Sequence, residues 1–179
     1  MHERTLPLML LASLLVGCAD DTQSLLTIQG ETIEFAEVSC IYRETFGCDQ
    51  YLELQLRFED AAGSAVWETF VYGLSAGSPA VLVPGEVTRF EVGTWRDGAN
   101  FSSALGPGEA RITLDDLPAP DTLREEDPVD ISGTYDILDA LVLPETPPGG
   151  EPGRSELDVP AQSFSFQCRS FFSRSECVF

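Results

Sequence analysis

Apolar and polar residues alternate with period two along most of the chain. In residues 51–59, Leu52, Leu54, Leu56 and Phe58 point one way, and Glu53, Gln55, Arg57 and Glu59 the other. That is a strand with one buried and one wet face, because successive side chains leave opposite sides of a sheet. Ile33 and Phe35 open a second such segment, and the apolar parity then moves to Val38 and Cys40. One extra residue in a strand causes such a shift, so a bulge is expected at Ala36-Glu37.

Further strands follow the same logic. The segment EDAAGSA at 59–65 reads as a hairpin connection built around its glycine, and 66–74 as the returning strand with Trp67, Phe70 and Tyr72. Pro84-Gly85 marks a turn before a strand at 87–95, and Arg96-Asp97-Gly98 marks another. Segments 110–114, 129–137 and 163–168 complete the series, the last placing Phe164, Phe166 and Cys168 on one face. Residues 137–143 fit either a helical turn or a buried strand. Two stretches break the pattern and are expected as long mobile loops. One is acid- and proline-rich 117–130; the other is PETPPGGEPG at 144–153. There is no amphipathic pattern long enough for a helix of ten residues, and no repeat of fixed period. About eight or nine strands at spacings near ten residues predict an all-β antiparallel sandwich or barrel.

The N-terminus differs from the rest. Residues 5–17, TLPLMLLASLLVG, form an uncharged apolar run of 13 residues behind Arg4. That is too short for a membrane-spanning helix, which needs about 20 residues, and it matches the apolar core of a secretory signal. The run ends in Leu15-Val16-Gly17-Cys18. This resembles the lipobox of bacterial lipoproteins, a leucine and two small or apolar residues before a cysteine. The resemblance covers residues 1–18. It implies a diacylglyceryl group on the Cys18 sulfur, cleavage just before Cys18, and a further acyl chain such as palmitate on the new amino group. Each buried methylene contributes about 0.8 kcal/mol, so several chains on one cysteine make a lasting membrane anchor. Ala19 is not the aspartate that retains many such lipoproteins in the inner membrane, so the outer membrane of the cell envelope is favoured. Asp20-Asp21 loosely resembles surface-export signals of some other bacteria. The organisation expected is a cleaved signal peptide (1–17), an acylated cysteine and tether (18–24), and a single β-rich domain (25–179).

Cleavage would leave 162 residues with 29 acids and 9 arginines, a net charge of −20. That length supports one domain with a true core. Such an acidic domain repels nucleic acid. There is no lysine in the chain, and the lone histidine, His2, lies in the signal. The mature chain therefore has no means for a Ser-His-Asp triad, a Cys-His pair, a Schiff-base lysine, an imidazole-ligated metal or a P-loop. Five cysteines are an odd number for an exported protein. Acylation of Cys18 leaves Cys40, Cys48, Cys168 and Cys177, an even set for an oxidising compartment. Three pairings are possible. The sequence-local one, Cys40–Cys48 with Cys168–Cys177, is preferred because each pair flanks a short turn-like segment. Gaps of seven and eight residues do not suit a zinc site.

Two chemistries stay open. Calcium needs only oxygen ligands, and Asp115, Asp116, Asp121, Glu125, Glu126, Asp127 and Asp130 fall on one expected loop, with Asp97-Gly98-Ala99-Asn100 a second oxygen-rich turn. Solvated loop acids are the plainer reading. A glycoside-type hydrolase needs only two carboxylates, and 29 acids supply pairs by chance alone. Trp67, Tyr72 and Trp95 could form a glycan platform, although aromatics alternating along strands are usually core. The expectation is a lipid-anchored, non-enzymatic envelope component with no cofactor, binding an envelope protein or glycan or serving a structural role. The alternatives are a calcium- or glycan-binding module and a carboxylate-dependent hydrolase.

Overall fold

The computed structural model describes residues 24–46, 51–74, 81–83, 89–96, 99–104, 109–146 and 155–176. In chain order the strands are β1 (Ser24–Ile28), β2 (Glu31–Phe46), β3 (Tyr51–Asp60), β4 (Ala65–Leu74), β5 (Val81–Leu82), β6 (Arg89–Arg96), β7 (Ala99–Ala104), β8 (Ala110–Leu114), β9 (Pro128–Ile137), β10 (Leu141–Pro144), β11 (Glu156–Val159), β12 (Gln162–Phe171) and β13 (Ser173–Glu176). Among the described residues a single 3-10 turn, Pro120–Thr122, interrupts them. The number exceeds eight or nine because β5, β10, β11 and β13 are only two to four residues long. Periodicity is weak evidence over so short a span.

The larger sheet has seven strands in the order β1-β2-β3-β4-β6-β7, with β13 on the same edge of β2 as β1 but further along. Every pairing in it is antiparallel except β13 with β2. The smaller sheet runs β12-β9-β8-β5, and β10 and β11 form a separate hairpin. The two sheets pack around one core and share no strand ladder among the described residues, an all-β arrangement of the sandwich or barrel kind.

The alternation read from the sequence builds this core directly. Leu52, Leu54, Leu56 and Phe58 of β3 are all buried, in one core cluster with Phe164, Phe166, Ile131 and Tyr135 of the smaller sheet. Phe58 is the hub: it stands edge-on to Phe164, Phe166 and Tyr135, at 5.3, 5.8 and 6.5 Å between ring centroids. Edge-to-face rings at such distances gain beyond area burial. The expected bulge is present as a register shift between Phe35 and Glu37, and it keeps both Phe35 and Tyr42 facing inward. The β3–β4 turn is held by the Asp60 carboxylate, which accepts the Ser64 and Ala65 backbone N–H groups at 2.7 and 2.9 Å and the Ser64 hydroxyl at 2.7 Å. Gly63 takes φ +66° there, a conformation natural to glycine.

Residues 137–143 resolve as a strand end, a short bend and the start of β10. The expected turns at 84–85 and 97–98 and the segment 147–154 lie outside the described residues. The acid- and proline-rich segment is not a free loop. Its last three residues, Pro128 to Asp130, open β9, and the rest is fastened down. Tyr42 Oη donates to Pro118 O, Glu126 N donates to Phe172 O, Phe172 N donates to Asp127 O, and the Arg174 guanidinium donates to Pro120 O and Leu123 O. Composition could not show that, because the anchors come from β2 and from the chain around β13.

Candidate functional site

The residues singled out by sequence fall in four places. Cys18 lies outside the described residues. The first strand begins six residues later, at Ser24, which is already buried and donates its hydroxyl to Ser165 O at 2.7 Å.

The cysteines correct the expected pairing. Cys40 is bonded to Cys168, joining β2 of the larger sheet to β12 of the smaller one with the Cα atoms 6.0 Å apart. Neither is then available to a sequence neighbour, and Cys40–Cys48 and Cys168–Cys177 are overturned. The reason is that no turn follows Cys40. Residues 40–46 are one continuous strand, and six residues of strand extend about 20 Å, against the roughly 4.4–6.8 Å that a disulfide spans. Cys48 and Cys177 themselves lie outside the described residues. Beside the bond, Tyr42 N donates to Ser170 Oγ at 2.9 Å, which satisfies the edge of β2 between β1 and β13.

The seven acids proposed for calcium are dispersed. Asp130 sits on β9 and forms a two-pronged ion pair with Arg169, its register partner on β12, at 2.6 and 3.0 Å. Asp115 accepts the Ser132 hydroxyl at 2.7 Å, Asp127 accepts Arg124 N at 2.7 Å, and Glu125 accepts Arg174 N with both oxygens. Asp116 and Asp121 are exposed. Glu126 is exposed too, with φ +65°, its backbone N–H taken by Phe172 O. In the second turn, Asn100 belongs to β7 and its carbonyl accepts Thr146 N, while Asp97 and Gly98 lie outside the described residues. Among the described residues no three His, Cys, Asp or Glu side chains form a metal-holding group. The Arg169 guanidinium holds the Asp130 carboxyl below the usual carboxylate range.

The aromatic platform is split by the sheet. Trp67 is fully buried in the core, edge-on to Tyr135 at 6.1 Å, and its indole N–H has no acceptor. Tyr72 and Trp95 lie on the outer face of the larger sheet, where Phe70, two residues from Tyr72, stacks against it at 6.4 Å with the planes 4° apart. Trp95 is 40% exposed. The same face carries a charged feature whose burial alternation did not show. Glu53 points outward, as expected, but is buried, clamped at 2.6 Å by Arg43 directly across the ladder and flanked on the other side by Tyr72. Arg57 reaches Glu59 at 3.0 Å and also pairs with Glu68. Isolated strand alternation shows the face of a residue but not which neighbours cover it.

A groove of about 600 Å³ opens where the β1–β2 and β3–β4 turns meet, lined by Glu31, Glu34, Asp60, Ser64 and Arg96 among others. Its charges have structural roles. Arg96 pairs with Glu31, and the Asp60 carboxyl is held low first by the Ala65 N–H and then by its Ser64 contacts. A carboxyl held ionised is the reverse of what a proton-donating acid needs.

The fold and these sites define an acidic all-β domain whose two sheets are stapled together by a disulfide. Comparison with protein-family models, with curated proteins and with solved structures returned no match.

Proposed function

We propose that this chain is a bacterial lipoprotein, held in the cell envelope through acyl chains on Cys18, whose β-domain acts as a binding or structural component at the membrane surface. The observation that carries this reading is the position of Cys18, directly after a 13-residue apolar run and six residues before Ser24, the first described residue and already buried. Six residues reach at most about 20 Å, so the domain is held close to its membrane. The sheet-to-sheet disulfide supports an oxidising compartment outside the cytoplasm. The outer membrane is the favoured destination, and the chemistry is attachment and contact without a catalysed reaction. Growth with an alkyne fatty acid should label the native protein and send it to the detergent phase on Triton X-114 partition, with the mature chain starting at Cys18. The Cys18→Ser variant should lose label and partition to the aqueous phase. Label retained by that variant would end the reading.

A second reading has one observation in its favour: the stacked Phe70–Tyr72 pair and the exposed Trp95 share the outer face of the larger sheet. Flat rings on a polar sheet face suit a glycan of the envelope. A glycan array that gives the same signal for the wild type and for Tyr72→Ala/Trp95→Ala excludes it.

A further inference from the structure

We propose that the outer side of the seam between β2 and β12, where Ile41, Phe171 and Pro128 are exposed, is the face that rests on the lipid bilayer. The inference rests on the anchoring reading above and adds which part of the domain meets the membrane. Phe171 is 63% exposed, the most of any large apolar side chain among the described residues, and Ile41 is 40% exposed. The two strands meet where the Tyr42 N–H donates to Ser170 Oγ at 2.9 Å, and the side chains of Tyr42 and Ser170 are both buried. Successive strand residues leave opposite sides, so Ile41 and Phe171, each one residue away, point outward beside the seam. Pro128, the register partner of Phe171 on β9, is exposed as well and extends the patch. An apolar cluster left exposed on a chain of net charge −20 marks a contact surface.

The partner follows from where the chain enters the domain. β1 runs antiparallel beside β12. Ser24 Oγ donates to Ser165 O at 2.7 Å, Gln162 Oε1 accepts the Thr27 N–H at 2.7 Å, and Gln162 Nε2 donates to Thr27 O at 2.8 Å. Toward its N-terminal end, β1 therefore points along β12 in the direction of Phe171. Phe171 stands six residues beyond Ser165, about 20 Å along the strand, and Cys18 stands six residues before Ser24. That length of chain is enough to bring an acylated Cys18 level with Phe171, whereas the β1–β2 turn at Gly30 lies at the other end of β1. A tether this short keeps the patch at high effective concentration against the bilayer, so a weak contact is enough. Arg169 and Arg174 flank Phe171 in sequence and pair with Asp130 and Glu44, which offsets part of the repulsion between those carboxylates and headgroup phosphates.

The full chain is isolated from cell membranes as Phe171→Trp and, for comparison, as Ser163→Trp. Each carries Trp95→Phe, so that the other indole is that of the fully buried Trp67. Ser163 is exposed at the far end of the same outward row of β12. Both proteins are reconstituted in vesicles of phosphatidylethanolamine with a minor share of phosphatidylglycerol, with and without lipids brominated near the headgroup. Interfacial apolar side chains sit about 5–10 Å into the headgroup and acyl boundary, so bromines there should quench indole emission at 171 about twofold and leave that at 163 unchanged. Equal quenching at the two positions, or none at 171 in protein that floats with the vesicles, would overturn the inference and leave the anchoring reading intact. Absence of acyl mass on the peptide that contains Cys18 would end the anchoring reading and this inference with it. Blue-shifted emission at 171 in vesicle-free Cys18→Ser protein, lost on dilution, would also overturn the inference, because the patch would then be covered by a second copy of the chain.

Discussion

Thr69 donates a 2.9 Å hydrogen bond to the phenol oxygen of Tyr135, and neither side chain meets water. The bond runs from β4 of the larger sheet to β9 of the smaller one, through the middle of an otherwise apolar core. A buried hydroxyl that loses its partner costs about 1–3 kcal/mol. Thr69→Val should therefore destabilise the protein by that amount, seen as a lower urea midpoint. Adding Tyr135→Phe removes the orphaned hydroxyl, so the double variant should lose less than the two single losses combined. Strict additivity would show that the bond contributes nothing specific.

The second prediction concerns Gly133 on β9. Its backbone lies so close to β8 that a Cβ there would collide with the carbonyl oxygen of Thr113. Backbone cannot swing aside as a flexible side chain can. Gly133→Ala should cost about 1–3 kcal/mol from overpacking. Gly93→Ala is the control, because the added Cβ would meet only ordinary contact at 4.0 Å. Equal losses at both positions would refute the steric account.

The Cys40–Cys168 bond closes a sequence separation of 128 residues. Loops of that length give a stabilisation of about 4–5 kcal/mol in the chain-entropy model. The Cys40→Ala/Cys168→Ala variant should unfold at a clearly lower urea midpoint, with the loss expressed mainly through the unfolded state. Wild type treated with reductant should approach the variant. A variant as stable as the oxidised protein would contradict this.

Stability should also fall in alkali. Burial, helped by the nearby Glu44 carboxylate, pushes the Tyr42 phenol up to about 12. Burial raises Tyr135 as well, against the opposing bond from Thr69. The folded protein thus keeps protons that the unfolded chain releases near pH 10. This stability is fully present below about pH 10 and is lost as the pH climbs through the folded value near 12 for Tyr42. At the acid end the sign reverses. The Asp60 carboxyl is held low, so its contribution is present above the ordinary carboxylate value and is lost as pH falls through the depressed one. Urea midpoints should fall above about pH 10, and Tyr42→Phe should flatten part of that fall. A midpoint that rises with alkali would show the assignment to be mistaken.

The parts of the fold that could be read in advance are those set by one strand at a time. The inward row of Leu52, Leu54, Leu56 and Phe58 and the bulge at Phe35/Glu37 follow from local parity. What escaped depends on which strands become neighbours. Cys40 meets Cys168 only because β12 packs against β2, and Asp130 meets Arg169 only because β9 and β12 pair in that register. Glu53 is buried because Arg43 and Tyr72 arrive on either side of it. At the candidate sites, Trp67 and Tyr72 are five residues apart, and an odd spacing in a regular strand already assigns them opposite faces. That signal was present and could have removed Trp67 from the platform.

The edge of β2 carries a consequence for timing. β1 and β2 can pair as soon as residue 35 is available, but among the described residues the outer edge of β2 from Tyr42 onward is completed only by Ser170 and by β13, some 130 residues later. Pairings so distant in sequence make folding slow, since much chain must be ordered before they form. A chain crossing a membrane from its first residue onward would present this open edge to its neighbours until the late strands arrive, and an open strand edge is a template for wrong partners. The interval between the emergence of β2 and that of β13 is the period in which this edge stays open.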